Sequence, residues 1–363
     1  MLKKAVAMGL YYSGAWNAYF GLKRYWQGAG AAVLNFHRLL DDAEGLPFKG
    51  PTVQTPVRLF EDVMAMLAGY YAVVPLHEIV EHLVAREPFA RDSIAVTFDD
   101  GYEDNLRLGL PILARYRIPA TIFLATAFID HAEVLWTERL EQALRTTCKD
   151  FVDVERLGLS YREPRLPLST PEQRRQGNRV LGDLLKGHDA EGISRALKQL
   201  ESQLEVDPRG YAQRMLTWPQ VRELDAAGIE IGAHGVSHTI MTRLDFSSAC
   251  AEMRLSKAAI ESKLQRPVRH FAFPNGRAED FSEPLRLAAR DLGYQSVSSC
   301  VWGLNWPGRE SPYDIRRIGL SGDSAQMLLP TLERLFRTGR ADYPTRVPAP
   351  ASRSPDTGGG EEL

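Results

Sequence analysis

The sequence predicts an α/β protein built on a mostly parallel sheet, either closed into a barrel or left open. Short apolar runs alternate with segments of helical spacing, which is the pattern of repeated strand–helix units. Several of those runs end in polar residues, and α/β proteins build their sites at the C-terminal ends of strands. The chain of 363 residues, 44% apolar and 25% charged, is long enough to bury one large core with an insertion.

The first strand is expected in AAVLNFHRL from Ala31, leading to a polar end at His37 and Arg38. A second, IAVTF over 94–98, ends in Asp99, Asp100 and Gly101. YEDNLRLGLPILARY then reads as a helix and RIPATIFLAT as the next strand, giving a βαβ unit. Between about Trp136 and Met215 the chain becomes rich in Arg, Glu, Gln and Leu with helical spacing and no strong strand, which predicts a helical insertion. The alternation resumes with a helix at LTWPQVRELDAAG, a strand at IEIGAH and a long helix at SSACAEMRLSKAAIESKLQ. RHFAFPNG follows as strand and turn, EPLRLAARDLG as a helix stopped by Gly293, and YQSVSSC as a further strand. This gives a domain over 31–338, preceded by an N-terminal segment 1–30 and followed by a Pro-, Gly- and Ser-rich tail, 339–363, expected to be disordered.

Composition narrows the function classes. With 44 basic and 46 acidic residues the formal net charge is -2, and nothing in it argues for a nucleic-acid partner. Cys148, Cys250 and Cys300 are odd in number and widely spaced, which argues against a disulfide framework or a CxxC metal site and favours a reducing compartment. The first thirty residues are interrupted by glycines and polar residues well short of a membrane span, and no cleaved leader is evident. They read as an amphipathic helix carrying Tyr11, Tyr12, Trp16, Tyr19, Phe20 and Trp26. Such a helix either packs on the domain or touches a membrane surface; the lack of a clear leader makes the expected location cytoplasmic, with peripheral membrane contact through residues 1–30 as the alternative to packing.

Three segments hold candidate chemistry. Asp99 and Asp100 stand side by side where a strand must turn at Gly101. One carboxylate can bind a cation while the other stays ionised as a base, although an aspartate there would also cap the following helix. GAHGVSH places His234 and His238 four apart, a spacing that lets two imidazoles chelate one metal, and Asp100 would complete a His, His, Asp set with positions left for water and substrate. FAFPNGR puts Pro274, Asn275 and Gly276 in a turn whose exposed N–H groups could stabilise an oxyanion or simply turn the chain. His77, His82, His131, His188 and His270 have no companion at ligand spacing and read as structural or solvent-facing. Trp302 and Trp306 fit a sugar-stacking wall or plain packing equally well.

TFDDGYEDN, GAHGVSH and FAFPNG, in this order and with RIPATIFL after the first, resemble the motifs of the NodB-homology polysaccharide deacetylases over about 31–130 and 215–320. The resemblance implies an irregular (β/α) barrel and a metal-dependent hydrolase that removes acetyl groups from an N-acetylated glycan, with zinc the usual metal among divalent ions. It implies Asp99 as the base, Asp100, His234 and His238 as metal ligands, and the amide of Asn275 as an oxyanion donor, with Tyr102 and Arg317 also placed against substrate or oxyanion. Two departures stand out. Ala272 occupies the place of the motif Arg that orients the base, for which Arg316 or Arg317 could substitute, and SPYDIRRIGLSGD offers no histidine to act as the acid. The branch that deacetylates exopolysaccharide has its histidine at an N-terminal strand end like LNFHR, which makes His37 the expected acid. The competing readings are a non-catalytic carbohydrate-binding module that keeps the metal, and an amidase acting on a small cyclic amide.

Overall fold

The computed structural model describes residues 29–41, 53–131, 134–212, 214–319 and 325–338, together with Ser13. The N-terminal segment expected to be amphipathic lies outside these residues up to Gly28, apart from Ser13, as does the tail from 339. No helix among the described residues is long and apolar enough to cross a membrane.

Among the described residues, eight parallel strands form the central sheet: β1 (Ala31–Phe36), β2 (Ala72–Val73), β3 (Ser93–Phe98), β4 (Ala120–Leu124), β5 (Glu230–Ala233), β6 (His270–Ala272), β7 (Ser296–Ser298) and β8 (Ile318–Gly319). Their spatial order is β7-β6-β5-β4-β3-β1-β8, with β2 paired to the start of β3. Every residue of β1, β3 and β4 is buried, as expected of parallel strands covered on both faces. The two edges are joined by the segment before β8. Ile315 bridges Ser298 of β7, and three residues later Ile318 pairs with Leu34 of β1, so the sheet curls into an irregular barrel.

Alternation along each strand sorts the residues into two cores. Leu34, Phe36, Ile94, Val96, Phe98, Ile122 and Phe271 pack outward against the helices. These include α1 (Val57–Tyr70), α3 (Leu110–Tyr116), α7 (Trp218–Ala226), α8 (Phe246–Leu264), α9 (Glu283–Asp291) and α10 (Ala325–Thr338). Ala31, Val33, Ala95, Phe123, Ala272 and Ile315 instead form an inner cluster, together with Leu76, Ile79, Val80 and Leu83 of α2 (Leu76–Ala85). Gly232 is required here. A Cβ at this position would lie 2.5 Å from the Phe123 ring and 3.1 Å from the His270 carbonyl oxygen.

The region between β4 and β5 contains α4 (Trp136–Thr146), α5 (Pro171–Leu185) and α6 (Ala190–Leu204) around its own core of Leu140, Leu144, Leu181, Leu197, Leu200 and Leu204. Thr170 and Gln173 form a reciprocal cap at the start of α5. The sequence predicts no strong strand here, and the structure adds a short antiparallel pair, Phe151–Asp153 with Arg165–Pro167. Each contributes three residues, too few for period-2 patterning to stand out. The helix expected over 102–116 also differs. It contains a π-helical turn, Asn105–Gly109, before α3, and Pro111 is in the first turn of that helix.

Candidate active site

The register of β1 on β3 aligns Phe36 with Phe98, so the next residues, His37 and Asp99, leave adjacent strands side by side. His37 Nε2 is 3.9 Å from Asp99 Oδ2. Three strand-end turns converge on this place, each with a non-glycine residue at positive φ: Asp100 (76°), His238 (56°) and Asn275 (59°). Asp, His and Asn tolerate this region better than most side chains, and such conformations cluster at sites over-determined by their surroundings. Gly101 at φ 93° makes the sharp turn after the carboxylate pair, where a Cβ would meet Leu124 at 2.8 Å.

Asp100 Oδ1 is 3.1 Å from His238 Nε2 and 3.5 Å from His234 Nε2, and it is buried without a hydrogen-bond donor of its own. One ligand atom from each of the three residues lies within 4.8 Å of the others. The Nδ1 of His234 is 2.8 Å from the Ala272 carbonyl oxygen, so that nitrogen carries the proton and Nε2 presents its lone pair to Asp100. Burial lowers the His234 pKa to about 4, outweighing the attraction of Asp99, so the ring is neutral at neutral pH. Asp100 is held ionised: burial works against its charge, but His238 and the other histidines lower its pKa. An orphaned carboxylate oxygen facing two imidazole nitrogens is a donor set that fits a divalent cation. Glu252 of α8, not singled out by the sequence, pins the histidine loop by accepting from the Val236 and Ser237 N–H groups at 2.6 and 2.9 Å and from the Ser237 hydroxyl at 2.8 Å.

Asp99 is the other half of the pair. Its Oδ1 accepts from Arg317 Nη1 at 2.7 Å, and its Oδ2 from Arg317 Nη2 at 2.8 Å and Asn35 Nδ2 at 2.9 Å. Burial opposes its charge, yet the Arg317 guanidinium holds the carboxyl far below the usual range. The same ion pair raises the pKa of Arg317, which is fully buried.

Three residues expected against substrate or oxyanion are placed differently. Arg317 has no exposed side chain and spends its guanidinium on Asp99, Asn35 and the Ser299 carbonyl, so it is the clamp on Asp99 rather than a substrate contact. Arg316 does not share that role; its backbone is tied to the Asn305 side chain. Asn275 donates its side-chain amide to Asp280, which also accepts the Arg277 N–H at 2.8 Å, so this amide fastens the turn instead of facing an oxyanion. The Tyr102 ring is buried and its hydroxyl donates to Glu138 at 3.3 Å, leaving only its backbone near the turn. Trp302 and Trp306 pack on the outer core, Trp306 directly against Gly30. His77 and His270 do have a companion, because both approach Glu230, at 3.7 and 3.2 Å, at the opposite end of the barrel.

A protein-family model described as polysaccharide deacetylase matches residues 86–297. The chain belongs to the polysaccharide deacetylase family. Asp99, Asp100, His234 and His238 of this family member fall inside the matched region; His37 and Arg317 fall outside it. YxkH of Bacillus subtilis (strain 168), named as a candidate polysaccharide deacetylase, is 30% identical over 95 residues, 26% of this chain and 34% of its own length, so the chain matches about a third of that relative. Streptococcus pyogenes deacetylase PplD, solved in complex with acetate, superposes with a TM-score of 0.54 at 17% identity, covering 84% of this chain and 99% of its own. IcaB from Ammonifex degensii gives 0.52 at 18% identity, covering 84% and 97%. At these identities the likeness to the two solved structures is one of fold.

Proposed function

We propose that this polysaccharide deacetylase is a metal-dependent hydrolase that removes N-acetyl groups from an amino-sugar polysaccharide or lipid-linked glycan, releasing acetate. The observation that supports it most directly is the division of labour between adjacent carboxylates. Asp100 faces two imidazole nitrogens, while Asp99 is clamped by a permanent cation and faces His37. Asp100, His234 and His238 would hold the metal, and two nitrogens with one oxygen suit zinc with open positions left over. When bound there, the cation supplies Lewis acidity to the acetamide carbonyl and acidifies a water.

The chain's own groups perform the proton transfers. Asp99 stays ionised and takes the proton from the attacking water, and Arg317 fixes the direction in which its lone pairs point. His37 donates a proton to the nitrogen as the carbon–nitrogen bond breaks, which yields acetate and a free amino sugar. The acid and the base must be separate groups because one starts protonated and the other does not at the same pH. Oxyanion donation falls to the Tyr102 backbone N–H in the turn after Asp100 and Gly101, since the Asn275 side-chain amide is spent on Asp280.

The buried clamp on Asp99 argues against a pure carbohydrate-binding module, which would need no oriented second carboxylate. The test is acetate release by the zinc-loaded protein from N-acetylglucosamine oligomers, with Asp99→Asn as control. Release by the wild type alone supports the reading. Silence on every oligomer with zinc bound would favour a small cyclic amide or a binding role.

A further inference from the structure

We propose that Asn35 is a positioning residue for the base, holding Asp99 Oδ2 in the orientation that proton transfer requires. The inference rests on the reading of Asp99 as the base. Asn35 is on β1, the strand between β3, which delivers Asp99, and β8, which follows Arg317; it pairs with Thr97 on one side and Gly319 on the other. Its side chain is therefore the one group placed to touch both partners of the clamp from the middle strand.

Burying an amide is costly unless its groups are used, and Asn35 is 3% exposed. All of its polar atoms face the site. Nδ2 donates to Asp99 Oδ2 at 2.9 Å and lies 3.7 Å from Cys300 Sγ, while Oδ1 accepts from Arg317 Nη1 at 3.1 Å and lies 3.2 Å from Thr97 Oγ1. This amide orientation is fixed by chemistry, since a carboxylate can only accept and a guanidinium can only donate. Asp99 Oδ2 is the oxygen that Asn35 holds, and it is also the oxygen 3.9 Å from His37 Nε2 and 4.0 Å from His234 Nε2. The guanidinium is itself held from behind by the Ser299 carbonyl at 2.9 Å. Asn35 adds a further donor to the carboxylate, fixing Oδ2 from the middle strand as Arg317 fixes it from β8's side. Two residues further on, just past the end of the strand, His37 then has a fixed distance to the oxygen it works beside.

The test compares Asn35→Leu, close in size but unable to donate, with the wild type. Loss of one hydrogen bond to a charged group should lower kcat by about 10- to 100-fold, with KM and zinc per chain unchanged within about two-fold. Asn35→Asp keeps the shape and the acceptor toward Arg317 but turns the donor into an acceptor, so its kcat should fall at least as far; it serves if the leucine variant does not fold. A purely structural role would move thermal stability, zinc content and KM together with kcat, and that pattern overturns the proposal. So does a kcat within two-fold of wild type while Asp99→Asn is inactive. Retention of activity by Asp99→Asn itself would sink the base assignment first. Independently of turnover, a crystal structure of Asn35→Leu in which both Asp99 oxygens keep their positions also overturns it.

Discussion

The two ends of the barrel hold closely related clusters with opposite fates. At the C-terminal end, His234 has Nδ1 on a carbonyl of the neighbouring strand and Nε2 toward Asp100; at the N-terminal end, His270 has Nδ1 2.8 Å from Ser296 Oγ on the neighbouring strand and Nε2 toward Glu230. Both rings are buried. Each carboxylate meets two histidines, and the difference is what else it meets. Glu230, beside His270 and His77, is also paired with Arg269 at 2.7 Å, a cation that never gives up its proton, whereas Asp100 is paired only with His234 and His238 among the described residues. A permanent cation closes a cluster; a carboxylate met by imidazoles alone leaves lone pairs for a metal.

The comparison breaks most decisively at His234. His234→Ala should lose both zinc and turnover, the latter by about 10³-fold or more, while Asp99→Asn should lose turnover and keep most of the zinc; metal analysis beside acetate release separates the two. Next comes Arg317→Met, which strands a buried carboxylate and should cost about 3–5 kcal/mol in denaturant unfolding as well as turnover. The N-terminal cluster should respond to pH instead. Burial raises the pKa of Glu230, but His270 and Arg269 more than reverse this and bring it to about 2 from an ordinary 4.5. Its contribution is therefore complete above the unfolded value of 4.5 and is lost as pH falls toward 2, a window worth at most ~3 kcal/mol. Urea titrations of Glu230→Gln and wild type should converge across it. The smallest effect is expected from His270→Ala, which should destabilise by about 1–3 kcal/mol and leave zinc content and kcat within two-fold. Loss of zinc in that variant would erase the distinction between the two ends.

Much of this contrast was legible in the sequence, and the rest depended on long-range pairing. The strands at 31, 94, 120, 230, 270 and 296 announce themselves by apolar runs, and the DD and HxxxH elements carry their own spacing. Asp99 and Asp100 could not be told apart by surroundings until Arg317, 218 residues away, was placed on one of them. The Asn275 amide matched a motif, but its neighbour Asp280 claims it, a competition that spacing does not show. Asn35 had a local signal: a lone amide in an otherwise apolar strand, two residues before His37 and so on the same face. Glu252 had none, because it meets the histidine loop only after α8 docks. His270 read as isolated because its carboxylate is on β5, 40 positions earlier in the chain.

The short segment from Ile315 to Gly319 closes the ring and delivers Arg317 in the same stroke. During synthesis a ribosome makes the region that the family model recognises, both aspartates and both histidines included, before this segment exists. Until it arrives, Asp99 has no guanidinium to hold it and the sheet has two open edges. Competence is thus expected only once this segment has been made: a nascent chain halted at residue 310 carries every expected metal ligand but lacks the clamp on Asp99.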